Sequence, residues 1–324
     1  MDWSSVQLRS LVELQRRGTI TAVSVALGYT PGGVSQQLAA LERAVGVALV
    51  RRVGRRVELT DAGVVLAGHA RQILDVEADA VAALERGAGT VAGVLRIALF
   101  ASAATILPVM LARTAERHPH LELRCQEMDV DDVYDAVASQ TFDVAVGLDY
   151  PDRPIRRDPD LRVVRLQRER FSVAAPPGRF PADVPLALAA TGDAGWILAY
   201  ERTHYGQAFR TALRRVGVEP RVRYEVTDTA ATLALVEAGV GIAPVTGLML
   251  RLRPARVDVL TLVERVERDV VAVVRHTARS RPTVAALLDV LTGAASADPS
   301  TGADPFTGAV SPEPRAGTEP GPLR

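Results

Sequence analysis

The chain has 324 residues, 38 basic against 38 acidic side chains, and 48% apolar residues. That length exceeds what one hydrophobic core serves, and the apolar content can fill more than one, so at least two globular domains are expected. No apolar run approaches the roughly 20 residues that span a bilayer, and no basic start with an apolar run and cleavage site opens the chain; a cytoplasmic protein without a membrane partner is expected.

Cys125 is the single cysteine, which excludes an internal disulfide and a cysteine-based zinc cluster. Its neighbours over 121–128 read as a strand, and inert burial of the thiol is expected. No lysine occurs, so arginine carries the basic charge. The neutral total hides an uneven distribution. Before residue 61 stand Arg9, Arg16, Arg17, Arg43, Arg51, Arg52, Arg55 and Arg56 against Asp2, Glu13, Glu42 and Glu58, whereas the stretch that follows is acidic. A locally basic N-terminus suits a polyanion partner for that segment alone.

In chain order, Val6, Leu8, Leu11, Val12 and Leu14 recur at helical spacing over 5–17, and Gly18 ends the run. Thr19 or Thr21 can cap a second helix over 22–27. Gly28 breaks it, and Thr30 can cap a third helix beginning at Pro31, a residue favoured in the first turn. Two helices joined by a short turn around a glycine form a helix-turn-helix. At about 100° per residue, Val34, Leu38, Leu41 and Val45 share one stripe of the third helix, while Gln36 and Arg43 fall on the opposite side. Thr30, Pro31, Gly33, Ser35 and Gln37 start or flank that outward side, where a recognition helix meets base edges and phosphates.

Residues 47–59 read as two short strands turning at Gly54, a wing tipped by Arg51, Arg52, Arg55 and Arg56, whose guanidinium groups suit phosphates or a narrow minor groove. Thr60 then caps a long helix to about 84, with Asp61 favourable against its positive end. Leu66, Ala70, Ile73, Ala80 and Leu84 form a seam for a partner helix, interrupted by Glu77. After a glycine-rich break at 87–93, strands over 94–100, 121–128 and 142–147 alternate with helices over 105–117 and 131–139, in the manner of a parallel sheet. The alternation continues through 171–175, 195–199, 204–216, 222–226 and 230–237 as a second lobe. An apolar run at 270–274 and a helix over 282–291 return to the first. From 292 onward Gly, Pro, Ser, Thr and Ala predominate, and a disordered tail is expected. The domains are therefore expected at 1–60, 61–87, 88–293 (lobe one about 94–166 and 268–292, lobe two about 167–267) and 294–324. The fold class is α plus α/β: an N-terminal winged helix-turn-helix, a long linker helix, and a two-lobed α/β effector domain of periplasmic-binding-protein type.

This order, together with the block from Ala22 to Gly46, Leu49-Val-Arg-Arg52 and Val57-Glu-Leu-Thr-Asp-Ala-Gly63, resembles the LysR-type transcriptional regulators over residues 3 to about 291. Two departures stand out. Thr30-Pro31-Gly32 replaces the family's usual Ser-Gln-Pro, which leaves base reading to Gln36 or Gln37, and Leu49-Val50 replaces a leucine-phenylalanine pair. The resemblance implies a homotetramer, dimerised through linker helices and sensor domains, that bends DNA between two half-sites in response to an effector in the inter-lobe cleft. It places Phe100, Ser102, Thr105, Gly147, Leu148, Tyr200, Thr203, Thr227, Asp228 and Thr229 at that cleft. Helix starts there favour anions or polar ligands. Homodimer and homotetramer both remain open, and RNA polymerase is carried as a further partner.

No catalytic residues, cofactor or metal are expected. Gly239-Val-Gly241 follows a helix and leads into a strand, the reverse of a dinucleotide loop. His118 and His120 flank Pro119 without a third ligand. No nucleophile elbow, phosphate-cradling lysine loop or zinc-protease pair occurs, so the chain is not expected to be an enzyme. The alternative reading is a cytosolic small-molecule-binding protein whose N-terminal domain docks a protein; catalysis in the cleft is a third, with Ser102 as the residue it would need.

Overall fold

The computed structural model describes residues 2–53, 56–87, 91–181 and 183–295. Three helices, α1 (Ser5–Arg17), α2 (Ile20–Leu27) and α3 (Pro31–Val45), start at side-chain caps from Ser4, Thr19 and Thr30. Ser4 and Gln7 exchange hydrogen bonds in a full capping box. Thr19, rather than Thr21, caps α2. Gly28 ends that helix at φ 68°, where a Cβ would be strained, and the chain swings into α3 within three residues. Leu8, Leu11, Leu14, Val23, Val34, Leu38 and Leu41 form a dry core under the three helices.

The wing follows as β1 (Val50–Val53) paired antiparallel with β2 (Arg56–Leu59). Glu42 of α3 accepts from the Leu49 and Val50 amides at 2.8 and 3.0 Å, which ties the wing to α3. Gly54 and Arg55, the expected turn, lie outside the described residues.

Helix α4 (Asp61–Gly87) begins at Thr60, whose hydroxyl accepts from the Gly63 amide at 3.0 Å. Its first half belongs to the N-terminal helical unit: Ala67, Ala70 and Leu74 are buried in the same core. The expected partner seam is corrected here. Ala70 is fully covered and Leu66 half covered by the chain's own domain, because α1 lies along that side. Glu77 also turns to α1, accepting from the Ser5 hydroxyl at 2.9 Å. Among the described residues, the apolar side chains left uncovered include Val65 (62% exposed), Ile73, Val76 (68%) and Leu84 (76%). Val65 and Val76, and likewise Ile73 and Leu84, are separated by about three turns and so lie on one stripe.

A Cβ on Gly63 would overlap the Leu49 carbonyl oxygen and sit 3.3 Å from Leu59 Cβ. Backbone cannot yield as a flexible side chain can. Gly63→Ala is therefore expected to cost about 1–3 kcal/mol in the N-terminal unit, seen as a lower melting temperature for that unit with the transition of the two-lobed domain in place.

Lobe one is a five-stranded sheet in the order β4 (His120–Glu127), β3 (Ala92–Leu99), β5 (Val144–Asp149), β12 (Glu267–Arg275), β6 (Leu161–Arg170). Strands β3, β4 and β5 are parallel, as the sequence alternation predicts, but β12 runs antiparallel to both β5 and β6. The sheet is thus mixed. Strand β6 carries arginine at 162, 165, 168 and 170 and escaped the apolar pattern. Helices α5 (Leu107–Arg117), α6 (Val133–Ala138) and α10 (Pro282–Ala295) pack on this sheet, with a 3-10 turn over Ala101–Ile106 ahead of α5. Cys125 corrects the expected burial: it is exposed on β4, an edge strand hydrogen-bonded only to β3. Partial desolvation raises its pKa, so it is not an activated thiolate.

Lobe two combines an antiparallel sheet ordered β10 (Ala243–Val245), β7 (Ser172–Ala175), β11 (Asp258–Thr261) with the parallel pair β8 (Trp196–Leu198) and β9 (Val222–Glu225). Around them lie α7 (His204–Arg215), α8 (Thr229–Glu237) and α9 (Gly247–Leu252). Trp196, Phe171, Phe209 and Tyr205 pack in its core at centroid distances of 5.4–5.8 Å, Phe171 and Tyr205 stacked and the other two pairs edge-on or tilted. Strands β6 and β12 join the lobes. Of the tail, residues 296–324 lie outside the described residues. No described helix is long and apolar enough to cross a membrane.

Candidate DNA-binding surface and inter-lobe cleft

Helix α3 buries Val34, Leu38 and Leu41 and leaves Pro31, Ser35, Gln36 and Arg43 exposed, as the angular count requires. Thr30 sits exposed at the start, its Oγ1 accepting from the Gly33 amide at 3.1 Å. Ser35 spends its hydroxyl proton on the Pro31 carbonyl at 2.9 Å and can only accept further bonds. Gln37 is half-buried, and its Oε1 accepts from Ser10 of α1. Of the two glutamines, Gln36 alone has an amide clear of the protein. Arg51 and Arg52 are exposed on the wing, with Arg51 3.5 Å from Glu58. Arg55 and the Arg56 side chain lie outside what is described. Val25 and Tyr29, exposed at the end of α2, extend the same region and carry no periodic signal in the sequence.

Between the lobes lies a cavity of about 440 Å³. Phe100, Ser102, Leu148, Thr227, Asp228 and Thr229 line it, as the resemblance implies. The other expected residues do not. Thr105 hydrogen-bonds back to the Ser102 carbonyl at 2.8 Å, and Gly147 is packed against Val133 and Tyr134 in the lobe-one core. Thr203 caps α7, and Tyr200 sits under the Arg202 guanidinium at 4.6 Å. The lining instead includes Glu127 at the end of β4 and Met128, Asp129 and Val130 after it, Tyr205 on α7, Met249 on α9 and Arg268 on β12. Residues 127–130 carry the same strand-end signature as the expected set, whereas Tyr205, Met249 and Arg268 converge from separate elements that no local pattern marks.

Arg268 is the one cation of that lining, and it is already neutralised. It pairs with Glu169 of β6 at 2.8 Å, both side chains 2% exposed, and donates to Thr246 Oγ1 at 2.6 Å. The other Glu169 oxygen accepts from the Leu248 amide at 2.9 Å. A buried pair, hydrogen-bonded through Arg268 Nε and Nη2, thus sits where the connecting strands meet lobe two. The remaining lining charges, Glu127, Asp129 and Asp228, are acids. Asp228 occupies the start of α8, accepting from the Ala231 amide at 2.7 Å, so the expected preference of helix starts for anions does not hold there. Thr227 Oγ1 is buried on the cleft wall with no hydrogen-bond partner among the described residues. No group of three or more metal-ligating side chains occurs among the described residues.

Family models match both units: the bacterial regulatory helix-turn-helix protein, lysR family, over residues 6–64, and the LysR substrate binding domain over residues 88–296. The chain belongs to the LysR family of DNA-binding transcriptional regulators, proteins that regulate rather than catalyse and that carry an effector-binding domain. Members of the family act as oligomers. Among its relatives, the probable HTH-type transcriptional regulator LrrA of Synechococcus elongatus is 28% identical over 297 residues, spanning 91% of this chain and 99% of that protein. The HTH-type transcriptional regulator TdfR of Cupriavidus pinatubonensis is 28% identical over 288 residues, 88% and 96% of the two chains. Among solved structures, full-length OxyR from Pseudomonas aeruginosa superposes with a TM-score of 0.63 at 17% identity over 90% of this chain and 95% of that one. Full-length CbnR complexed with its target DNA gives 0.53 at 23% identity over 90% and 99%. At those identities the structures speak for the fold.

Proposed function

We propose that the protein is a cytoplasmic regulator that reads double-stranded DNA with α3 and the wing, and that a small molecule in the inter-lobe cleft sets how strongly a dimer or homotetramer bends its site. The observation that carries this reading is the solvent-facing side of α3, with the Gln36 amide unencumbered while the aliphatic stripe is buried. Thr30, Pro31, Gly33, Ser35 and Gln36 meet the major groove, and Arg51, Arg52, Arg55 and Arg56 meet phosphates or the minor groove. Gln37 serves α1 more than DNA. The uncovered stripe of α4 is the dimer seam, and RNA polymerase is the downstream partner.

The effector is a small ligand with an apolar body and hydrogen-bond donors, such as hydroxyl or ammonium groups. Phe100, Met128, Leu148 and Met249 supply apolar contact, Thr227 an unspent hydroxyl, and the acids outnumber a cation that Glu169 already balances. A carboxylate would meet repulsion at this rim.

Gln36→Ala tests the DNA reading. Binding to a specific operator is expected to weaken by about 1–3 kcal/mol, with nonspecific binding unchanged. Titrations across salt check it: equal loss on both DNAs removes Gln36 from base reading.

A further inference from the structure

A second cavity, of about 210 Å³, lies away from the cleft where the DNA-binding unit, the linker helix and lobe one meet. Four guanidinium groups converge on it: Arg9 of α1, Arg96 of β3, Arg275 at the end of β12, and Arg281 just before α10. Among the described residues, Glu77 and Asp143 line the same cavity, Asp75 stands beside it, and each is engaged. Asp75 takes Arg275 at 2.7 Å, and Asp143 is shared by Arg96 at 3.3 Å and Arg281 at 3.2 Å. Glu77 accepts from Ser5. Arg9 forms no ion pair or hydrogen bond to any of the three, and its Nε is buried without a partner. Burial lowers its pKa, Glu77 partly opposes this, and Arg96 adds to the lowering. A partly desolvated guanidinium whose Nε has no partner, set beside a second cation, is stabilised when an anion joins it.

We infer that this joint binds a small oxyanion, of phosphate or sulfate type, held by Arg9 with Arg96 and Arg281. A planar guanidinium presents paired N–H donors that match such an anion. Because Arg9 belongs to the DNA-binding unit and Arg96, Arg275 and Arg281 to lobe one, the occupant fastens the two units together. The site is independent of the inter-lobe cleft and its ligand.

The test is thermal unfolding of the full-length protein without DNA, in inorganic phosphate against chloride at matched ionic strength. Phosphate is expected to raise the melting temperature of the wild type by a few degrees. Arg9→Gln is expected to melt no lower than wild type in chloride, since it removes an uncompensated charge, and to lose the phosphate shift. Arg9→Lys keeps the charge without the paired donors and is expected to retain less than half of the shift. Arg52→Gln, on the wing, is expected to retain all of it. No shift in the wild type, a shift that survives Arg9→Gln, or one lost with Arg52→Gln would each overturn the assignment, the last by moving the anion to the DNA-binding face.

Discussion

Glu169→Ala is expected to destabilise the two-lobed domain by about 3–5 kcal/mol, because it leaves the Arg268 guanidinium buried without its counter-charge. Glu169 satisfies Arg268 with one oxygen and the Leu248 amide with the other, so its loss orphans a cation and a backbone donor together. Arg268 also packs near the Phe100 and Phe171 rings, at 5.9 and 5.6 Å, where water has little access. Denaturant unfolding of the full chain, followed through the tryptophans, measures the effect. The double change Glu169→Leu with Arg268→Met is expected to recover most of the loss, since an apolar pair of similar volume removes both charges. A loss below about 1 kcal/mol for the single variant would mean that water reaches the pair. Ligand response separates stability from function, because Arg268 lines the cleft and the recovered double variant would still have lost that donor.

The second large effect concerns the linker. Changing Val76 and Leu84 together to glutamate is expected to produce a monomer in sedimentation equilibrium and to reduce affinity for a two-half-site operator by a factor on the order of 10²–10⁴, the advantage that linked binding confers. Affinity for a single half-site should hardly change, because α3 and the core beneath it are untouched. Glutamates on an exposed face cost a monomer little, whereas in a packed seam each would be a desolvated charge facing its symmetry mate. A variant that stays dimeric with full operator affinity would move the dimer contact elsewhere, with the exposed edge strand β4 as the next candidate.

Legibility in the sequence followed the range of the interactions. The caps at Thr30 and Thr60, the glycine stops at Gly18 and Gly28, and the stripe that turns Gln36 outward all depend on residues within four positions of one another, and each was readable along the chain. The α4 seam was half readable. Periodicity finds an apolar stripe, but only the placement of α1 decides that Ala70 and Leu74 are covered while Val76 and Leu84 are not. Strand β6 was missed for a related reason: its arginines face solvent or pair across the sheet, as Arg168 does with Asp269 at 2.7 Å, so no continuous apolar run marks it. The strand-like neighbours of Cys125 point to burial, but strand formation does not say which strand ends up at the edge.

At the cleft, the residues after β3 and before α8 were legible because helix starts at strand ends are local features. Thr105, Gly147, Tyr200 and Thr203 share that signature and yet serve their own turns and cores. Tyr205, Met249 and Arg268 carry no such signature. The sequence by itself determined the helix-turn-helix, the outward face of its recognition helix, the long linker and the two-part α/β body, since capping, turn chemistry and periodicity act over one or two helical turns. Only the tertiary structure decided the acid-rimmed cleft, the buried Arg268–Glu169 pair and the arginine-lined joint around Arg9. Each is a convergence of charges far apart in the chain, and their energies depend on burial and on distances of a few ångströms that no local pattern encodes.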